Sequence, residues 1–222
     1  MEMATGGSAF RAARLGWADG DCGSGLVRML GSAAGLLYEM DAVELVRRQR
    51  DQREPIVQLD VLDALMGLPP GLPVTVSQLT RREQSALRRA PSGAVEFDDG
   101  QAVRRAVAPI SARLAVVTAR DWRQGLTKAG RFAPFCARAM LLSVVPADWD
   151  EARVRAAYFG VGVWVFAGGE LRMVLEPEPF VRRRHTAAQW WFAEEAWRQL
   201  SACGTVGESR LRSATEAVRP MP

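Results

Sequence analysis

An almost unbroken apolar run, Leu114 to Ala119, is the feature of this 222-residue chain that most limits its fold. Strands buried on both faces have continuous apolar sequences, whereas half-exposed strands alternate apolar and polar residues. After the polar pair Arg120 and Asp121, apolar residues return at the spacing of one helix face. They are Trp122, Leu126, Ala129 and Phe132. The stretch therefore predicts a central, buried strand that leads into a helix packed on one face of a sheet.

The segments after this stretch alternate between strand and helix. "RAMLLSVVP" predicts a short buried strand, "ADWDEARVRAAYFG" a helix capped by Asp148, and "VGVWVFAGGELRMVLEP" two strands joined at the paired glycines. Thr186 can cap a last amphipathic helix, whose Trp190 and Trp197 we expect in the core rather than stacked on bases. The order predicts an α/β (α+β) domain over residues 106–205, a mixed sheet with flanking helices.

The first half of the chain predicts a mainly helical region over residues 26–105. Apolar spacing between Leu26 and Arg50 fits one or two helices. "PIVQLDVLDALMGLPP" fits either a strand or a helix, and the glycine and prolines at its end favour the helix. We expect flexible ends at residues 1–25 and 206–222, where no apolar period is present.

Part of this region also fits a winged-helix-like DNA-binding module. "LDVLDALMG", "VTVSQLT" and "RREQSALRRAP" could form a helix-turn-helix, with the predicted strand "AVEF" and a turn at residues 98–100 as a short wing. Thr80 and Glu83 have the spacing of a capping box, which predicts a helix start. A helical cap over the sheet of the second half is the competing interpretation. The arginines on or near the recognition helix would be Arg81, Arg82, Arg88 and Arg89.

Composition excludes several classes of site. Cys22, Cys136 and Cys203 lie far apart without a CxxC pair, so we expect reduced thiols and no zinc site. His185 is the only histidine, which excludes multi-histidine metal centres, and no glycine-rich phosphate loop is present. The ends do not suggest a secretory signal, and no stretch is long and apolar enough for a membrane span. We therefore expect a cytoplasmic protein without a membrane partner.

Basic residues are concentrated in the second half. Residues 1–110 contain 13 basic and 14 acidic residues, whereas residues 111–222 contain 16 and 11. Basic clusters on one module are the footprint of a polyanion binder, although a solvated helix face has the same composition. We predict weak nucleic-acid binding without strong sequence preference. The candidate contacts are Arg120, Arg123, Lys128, Arg131, Arg182, Arg183 and Arg184.

Three motifs follow one another between about residues 113 and 175. They are "DWRQGLTKA" at the start of the predicted helix, the short strand "RAMLLSVVP", and "FGVGVWVF". In this order and spacing they resemble the PD-(D/E)XK nuclease superfamily, many members of which have D-W followed by a helix of the form W-R-x-A-L-x-Q-A. The resemblance implies a restriction-endonuclease-like fold and a metal-dependent nuclease ancestry.

The chain departs from this family on the catalytic strand. Counting back from Trp122, the family's metal-binding glutamate falls on Val116 and its lysine on Thr118. Valine cannot bind a metal ion, and threonine carries no charge. The resemblance therefore implies a catalytically degenerate domain without a metal cofactor. Spacing does not identify the family's upstream aspartate among its candidates, which are Asp60, Asp63, Glu96, Asp98 and Asp99.

Lys128, the only lysine of the chain, falls where the family commonly has a glutamine, close to the expected site. A rebuilt nuclease would use Lys128 and would hold Mg²⁺ with Asp121 and with Asp98 or Asp99. Three hypotheses stay open: a degenerate nucleic-acid-binding protein, this active nuclease, and an adaptor that binds a protein partner or forms a homo-oligomer. An apolar environment around Thr118 would exclude the nuclease.

Overall fold

A computed structural model describes residues 22–50 and 54–202. The predicted flexible tail at 206–222 and most of the predicted flexible start lie outside the described residues.

The described chain divides into two compact units, each of which takes segments from both halves of the sequence. We call residues 22–39 and 112–182 the sheet unit, and residues 40–111 and 183–202 the helical unit. Within the described ranges, no helix has the length and apolar character needed to cross a membrane.

The described residues form nine strands, six α-helices and one 3₁₀ helix. In chain order they are β1 (Gly23–Met29), β2 (Ser32–Met40), α1 (Ala42–Arg50), α2 (Leu59–Met66), β3 (Pro73–Thr75), the 3₁₀ helix (Val76–Gln78), α3 (Arg81–Arg88), β4 (Val95–Asp98), β5 (Gln101–Arg104), β6 (Ile110–Thr118), α4 (Trp122–Gly130), β7 (Ala137–Leu142), α5 (Trp149–Tyr158), β8 (Val161–Ala167), β9 (Glu170–Leu175) and α6 (Ala187–Ala202). The predicted mixed α/β class is confirmed.

The sheet unit contains a six-stranded mixed sheet in the order β1-β2-β6-β7-β8-β9. β6, β7 and β8 are parallel, whereas β1 with β2 and β8 with β9 are antiparallel pairs. Because successive parallel strands step in one direction, right-handed crossovers place α4 and α5 on the same face. The two helices contact each other and pack on β7 and β8.

The strand predicted at Leu114 to Ala119 is central and buried, as expected. β6 lies between β2 and β7, and its residues from Leu114 to Val117 are at most 3% exposed. α4 packs on the sheet through Trp122, Gly125 and Ala129, whereas Leu126, predicted on this face, is only partly buried. A Cβ on Gly125 would lie 2.4 Å from the sulfur of Met140 on β7, so a glycine is needed for this close approach.

The helices predicted between Leu26 and Met40 are wrong, because this segment is the β1–β2 hairpin. Leu26 and Arg28 are exposed while Val27 and Met29 are buried, which is the period of two expected of a half-buried strand. Leu30 and Gly31 have φ values of 54° and 69°, as a two-residue hairpin turn requires. The apolar spacing also fits a helix, so periodicity alone does not separate the two. Helix begins only at Ala42, and residues 23–25, predicted to be flexible, belong to β1.

The helical unit combines four α-helices with a three-stranded antiparallel sheet in the order β3-β5-β4. The predicted helix at Leu59–Met66 and the strand predicted from "AVEF" are confirmed. β4 and β5 are joined by a tight turn at Asp99 and Gly100, both with positive φ. α2 packs on both α3 and α6. The core is a cluster of twelve buried residues, among them Leu62, Leu65, Leu87 and Trp190.

A buried ion cluster connects α1 with α6 inside the helical unit. Glu44, Arg48 and Glu194 are each at most 2% exposed. Arg48 donates to Glu44 at 2.6 Å and, through two nitrogens, to both carboxylate oxygens of Glu194 at 2.6 and 2.7 Å. Glu194 also accepts from the backbone N–H of Ile56 and from the indole N–H of Trp190. Every oxygen of Glu194 is therefore paired, which buried charges require.

Burial alone would lower the pKa of Arg48, but its hydrogen bonds and charge pairing with Glu194, and then with Glu44, raise that pKa above the usual arginine value. Arg48 is thus held in its charged form, and the cluster serves as a fixed connection between two segments far apart in the sequence.

Candidate nucleic-acid interface

The position of the family's catalytic glutamate lies in an apolar core. Val116 belongs to a cluster of buried residues that includes Leu114, Leu141 and Trp164. Thr118 is exposed at the end of β6, and its backbone carbonyl accepts a hydrogen bond from the Lys128 ammonium at 3.0 Å. Lys128 therefore lies beside the end of β6, as predicted. Its contact there is with a carbonyl, and an apolar environment next to Val116 does not favour a metal ion.

The carboxylates proposed for a rebuilt metal site have other partners or belong to another unit. Asp121 caps α4 and accepts from the backbone N–H of Gln124 at 2.9 Å. Asp98 and Asp99 lie on the β4–β5 hairpin of the helical unit. Among the residues that the structure describes, no group of three or more potential ligands could hold a metal ion.

The Asp121-Trp122-Arg123 motif connects α4 to the start of α5. The indole N–H of Trp122 donates to both carboxylate oxygens of Asp148 at 3.1 Å. Arg123 stacks on the Trp122 ring at 4.1 Å and pairs with Asp148 at 3.0 Å and with Glu151 at 3.3 Å. Asp148 was expected to cap α5, but its side chain makes no capping bond and serves this contact instead.

Arg131 and Arg138 of this segment also have structural contacts. Arg131 donates to the carbonyls of Leu30 and Gly31 in the β1–β2 turn, each at 2.9 Å. Arg138 donates to the carbonyl of Phe159 at the end of α5. Arg120 is exposed, and within the described part of the chain only its backbone N–H forms a hydrogen bond, which the side-chain oxygen of Gln124 accepts. The predicted basic surface of residues 120–138 is therefore largely occupied within the sheet unit.

The two glycines of "FGVG" have packing roles. Gly160 ends α5 with a φ of +64°, and a Cβ there would lie 2.3 Å from the Glu178 carboxylate. A Cβ on Gly162 would lie 2.7 Å from the ring of Pro177. The chain after β9 therefore lies directly against β8, and only glycine allows this close approach.

The predicted contacts Arg182, Arg183 and Arg184 lie between β9 and α6 and are all exposed. His185 beside them is exposed too. They remain candidates for phosphate contact, although Arg182 belongs to the sheet unit and the next two residues belong to the helical unit.

The outward face of α3 carries a compact set of arginines. Five side chains of this face are exposed, namely Arg81, Arg82, Ser85, Arg88 and Arg89. Arg89 pairs with Asp60 of α2, which holds the pKa of that carboxyl below its usual value. Among the described residues, Arg81, Arg82 and Arg88 have no ion pair. Unlike Arg123 and Arg131, these three present uncompensated charge to solvent.

α3 is held rigidly on the helical unit. Thr80 and Glu83 form the predicted capping box, in which the Thr80 hydroxyl accepts from the Glu83 N–H and the Glu83 carboxylate accepts from the Thr80 N–H. Gln84 donates from its amide nitrogen to the carbonyls of Val76 and Leu79, at 3.0 and 2.9 Å. These bonds fix α3 to the 3₁₀ helix before it, while Leu87 is buried in the core. The arginine face therefore has a defined orientation within its unit.

The β4–β5 hairpin has the opposite charge. Glu96, Asp98 and Asp99 are exposed along it, and Phe97 is 47% exposed between them. Only Glu96 has a basic partner in the described structure, Arg105 at 2.7 Å. The helical unit thus has a basic helix and an acidic hairpin.

The tryptophans of α6 serve the core rather than a base-stacking surface. Trp190 is 7% exposed and lies beneath the guanidinium of Arg104 at 5.3 Å. Trp197 is half-buried, with the guanidinium of Arg48 over its ring at 4.7 Å. The predicted core packing is confirmed for Trp190, whereas Trp197, predicted in the core as well, is only partly buried.

Two of the three cysteines are buried within the described part of the chain. Neither Cys22 nor Cys136 forms a disulfide, and Cys203 lies outside the described residues. Burial raises the pKa of the Cys136 thiol to about 12, so this thiol is protonated at neutral pH and is a poor nucleophile.

No protein-family model matches this chain, and neither the curated proteins nor the solved structures contain a significant match.

Proposed function

We propose that this protein binds duplex DNA through the outward face of α3 and that its sheet unit is a non-catalytic, nuclease-like domain. The observation that carries the proposal is the exposed arginine face, in which Arg81, Arg82 and Arg88 have no carboxylate partner among the described residues. Phosphate contacts by such side chains release counterions and supply most of the affinity of a DNA-binding surface.

The elements around α3 support a helix-turn-helix. α2, the short strand β3, the 3₁₀ helix and α3 follow one another, and the β4–β5 hairpin comes directly after them. The major groove of B-form DNA admits an α-helix, whereas that of an RNA duplex is too narrow for side chains to read. An exposed helix on a rigid base therefore favours DNA as the ligand.

The acidic hairpin restricts how this module could bind. In a winged helix, the hairpin after the recognition helix would be the wing. Here Asp98 and Asp99 at its tip repel phosphates. We therefore expect contact mainly through α3 and only modest affinity.

The nuclease-like part of the proposal rests on element order. A buried strand is followed by a D-W helix, a short strand, a helix and the "GVG" strand of a hairpin, in the order expected of the PD-(D/E)XK superfamily. Val116 in an apolar cluster and Lys128 bonded to a backbone carbonyl favour a domain without metal-dependent catalysis.

Fluorescence anisotropy with a labelled duplex, titrated at several salt concentrations, tests the binding. The triple variant Arg81→Ala/Arg82→Ala/Arg88→Ala should flatten the log–log salt slope by about 2.7, because each lost phosphate contact removes about 0.9. The control Arg50→Ala/Arg153→Ala/Arg172→Ala removes the same net charge from other exposed sites and should leave the slope close to that of the wild type.

Equal effects of the two triple variants would mean that only net charge matters, and the α3 interface would be rejected. Absence of binding by the wild type at low salt would favour the adaptor hypothesis. Metal-dependent cleavage of the duplex that Lys128→Ala abolishes would overturn the non-catalytic assignment of the sheet unit.

A further inference from the structure

The outward face of α5 exposes two large side chains with apolar surface between its charged residues. Ala152 and Ala156 are buried against the sheet, and the opposite side carries Val154 and Tyr158. Val154 is 64% exposed and Tyr158 is 82% exposed. Surface helices of globular proteins usually present polar residues on this side. An aromatic side chain so fully exposed is typical of an interface.

The aromatic end of this face is preorganised. Tyr158 and Phe159 form an edge-to-face pair with ring centroids 5.1 Å apart, although Phe159 itself is 49% exposed. The carbonyl of Phe159 is fixed by Arg138 from β7. The Tyr158 hydroxyl has no hydrogen-bond partner among the described residues. An edge-to-face aromatic pair with an exposed hydroxyl offers a second molecule both apolar contact and a hydrogen-bond donor.

The charges on this helix are arranged so that the face complements itself. Asp150 and Glu151 are in its first turn and Arg155 is in its last. Asp150, Val154 and Tyr158 are four residues apart and therefore form one row along the helix, with Glu151 and Arg155 on one flank. If a second α5 lies antiparallel across a two-fold axis at Val154, Asp150 of each copy faces Tyr158 of the other. On the flank, Glu151 and Arg155 of opposite copies are offset along the axis by about 3 Å, within reach of long side chains.

We propose that two copies of this chain associate through α5, antiparallel, about a two-fold axis near Val154. Self-complementarity of one patch is what a two-fold interface requires. The contacts are Val154 with Val154 on the axis, the Asp150 carboxylate accepting from the Tyr158 hydroxyl twice, and two Glu151–Arg155 ion pairs. As the helix dipole favours, the acidic residues lie in the first turn of α5 and Arg155 lies in its last turn. An antiparallel arrangement therefore brings the acidic end of one helix to the basic end of the other. A single helix face makes a small interface, so we expect a weak dimer with a dissociation constant in the micromolar range.

Mass measurement by analytical ultracentrifugation on the full chain tests this arrangement. The wild type should be mostly dimeric at about 0.2 mM, and Tyr158→Asp should be monomeric. In Glu151→Arg, positions 151 and 155 are both arginine in each copy, so the facing flanks of the two copies repel each other. In Arg155→Glu both positions are glutamate, and the flanks repel each other in the same way. Each single variant should weaken dimerisation by about tenfold or more. An equimolar mixture of the two should dimerise again, because every cross pair then joins opposite charges.

Two controls separate this effect from incidental changes. Arg153→Glu reverses a charge on the other flank of α5 and should remain dimeric. Arg123→Ala removes the partner of Glu151 within the chain and should also remain dimeric. Circular dichroism checks that each variant is folded. A monomeric wild type, dimeric single variants, or a mixture that stays monomeric would each overturn the proposal. None of these results depends on DNA binding.

Discussion

The arginines of α3 and those near α4 look alike in the sequence but differ in what they contact. Arg123 pairs with two carboxylates on α5 or just before it, and Arg131 donates to the carbonyls of the β1–β2 turn. Arg82 and Arg88 on α3 have no ion pair in the described structure. Guanidinium groups that already have fixed partners are poor phosphate ligands, because binding must break those contacts. Basic residues therefore identify a polyanion-binding surface only when the contacts of each side chain are known.

Arg48 is fully buried and is paired with both Glu44 and Glu194. Its cluster gives the largest change in stability that we predict. Glu194→Gln removes one charge of a fully buried pair and leaves Arg48 incompletely compensated. Breaking a buried pair in this way costs roughly 3–5 kcal/mol of unfolding free energy. Urea denaturation at neutral pH measures it.

The neighbouring residue provides a matched control for this experiment. Glu195 pairs with Arg198 on the solvent side of α6, so Glu195→Gln makes the same chemical change at a partly exposed site. Its effect should be much smaller, because surface pairs contribute little. If the two variants lose similar stability, the buried cluster does not have the structural role assigned to it.

Much of the fold could be predicted because its signals are local. The apolar run of β6, the capping box at Thr80 and the stop of α2 at Gly67 each depend on residues within a few positions of one another. The β1–β2 hairpin could not be predicted from the sequence, because its apolar residues fit both a helical and a strand period. In β2, Leu36, Leu37 and Tyr38 are buried consecutively, since this strand is internal to the sheet.

The candidate site was less predictable, because the contacts that decide it are distant in sequence. Arg131 contacts Leu30, which is 101 residues away, and Arg123 contacts Asp148, which is 25 residues away. Charge counting within one segment cannot include such partners. The sequence alone places four arginines on or near the recognition helix of a possible helix-turn-helix. The structure was needed to show that they are exposed, and that Arg81, Arg82 and Arg88 have no ion pair among the described residues.

The acidic β4–β5 hairpin allows a second test of DNA binding through α3. If α3 contacts duplex DNA and the hairpin lies near phosphates, Asp98→Asn/Asp99→Asn should raise affinity several-fold at low salt. The gain should disappear at high salt, where exposed charges are screened. Asparagine tolerates the positive φ of residue 99, so the turn should be preserved. Anisotropy titrations at two salt concentrations measure both effects.

Glu170→Gln/Glu176→Gln, at two exposed positions of the sheet unit, is the matched control for that variant. Both variants change the net charge equally. Equal gains from the two would show that the hairpin does not lie near bound DNA, and the α3-centred geometry would have to be revised.

The smallest predicted effect compares one arginine from each helix. Arg88→Ala and Arg123→Ala each remove one positive charge, but only Arg88 is without a carboxylate partner in the described structure. Arg88→Ala should weaken DNA binding, with a salt slope flatter by about 0.9. Arg123→Ala should leave binding unchanged and slightly lower the urea midpoint. A loss of affinity in Arg123→Ala equal to that in Arg88→Ala would restore the predicted basic surface around α4.

The pH dependence of that small stability loss follows from Asp148. The Trp122 indole N–H, and to a lesser extent Arg123, hold the pKa of the Asp148 carboxyl below its usual value. A lowered folded-state pKa stabilises the protein above the unfolded-state pKa, and this contribution is lost as the pH falls through the folded-state value. The gap in urea midpoint between the wild type and Arg123→Ala should therefore be largest near neutral pH and should narrow below about pH 4.

Because the Trp122 bond remains in Arg123→Ala, that variant should retain part of the acid dependence, whereas Asp148→Asn should lose all that this carboxyl contributes. A gap that stays constant down to low pH would mean that Arg123 stabilises the protein through its stacking on Trp122 rather than through charge.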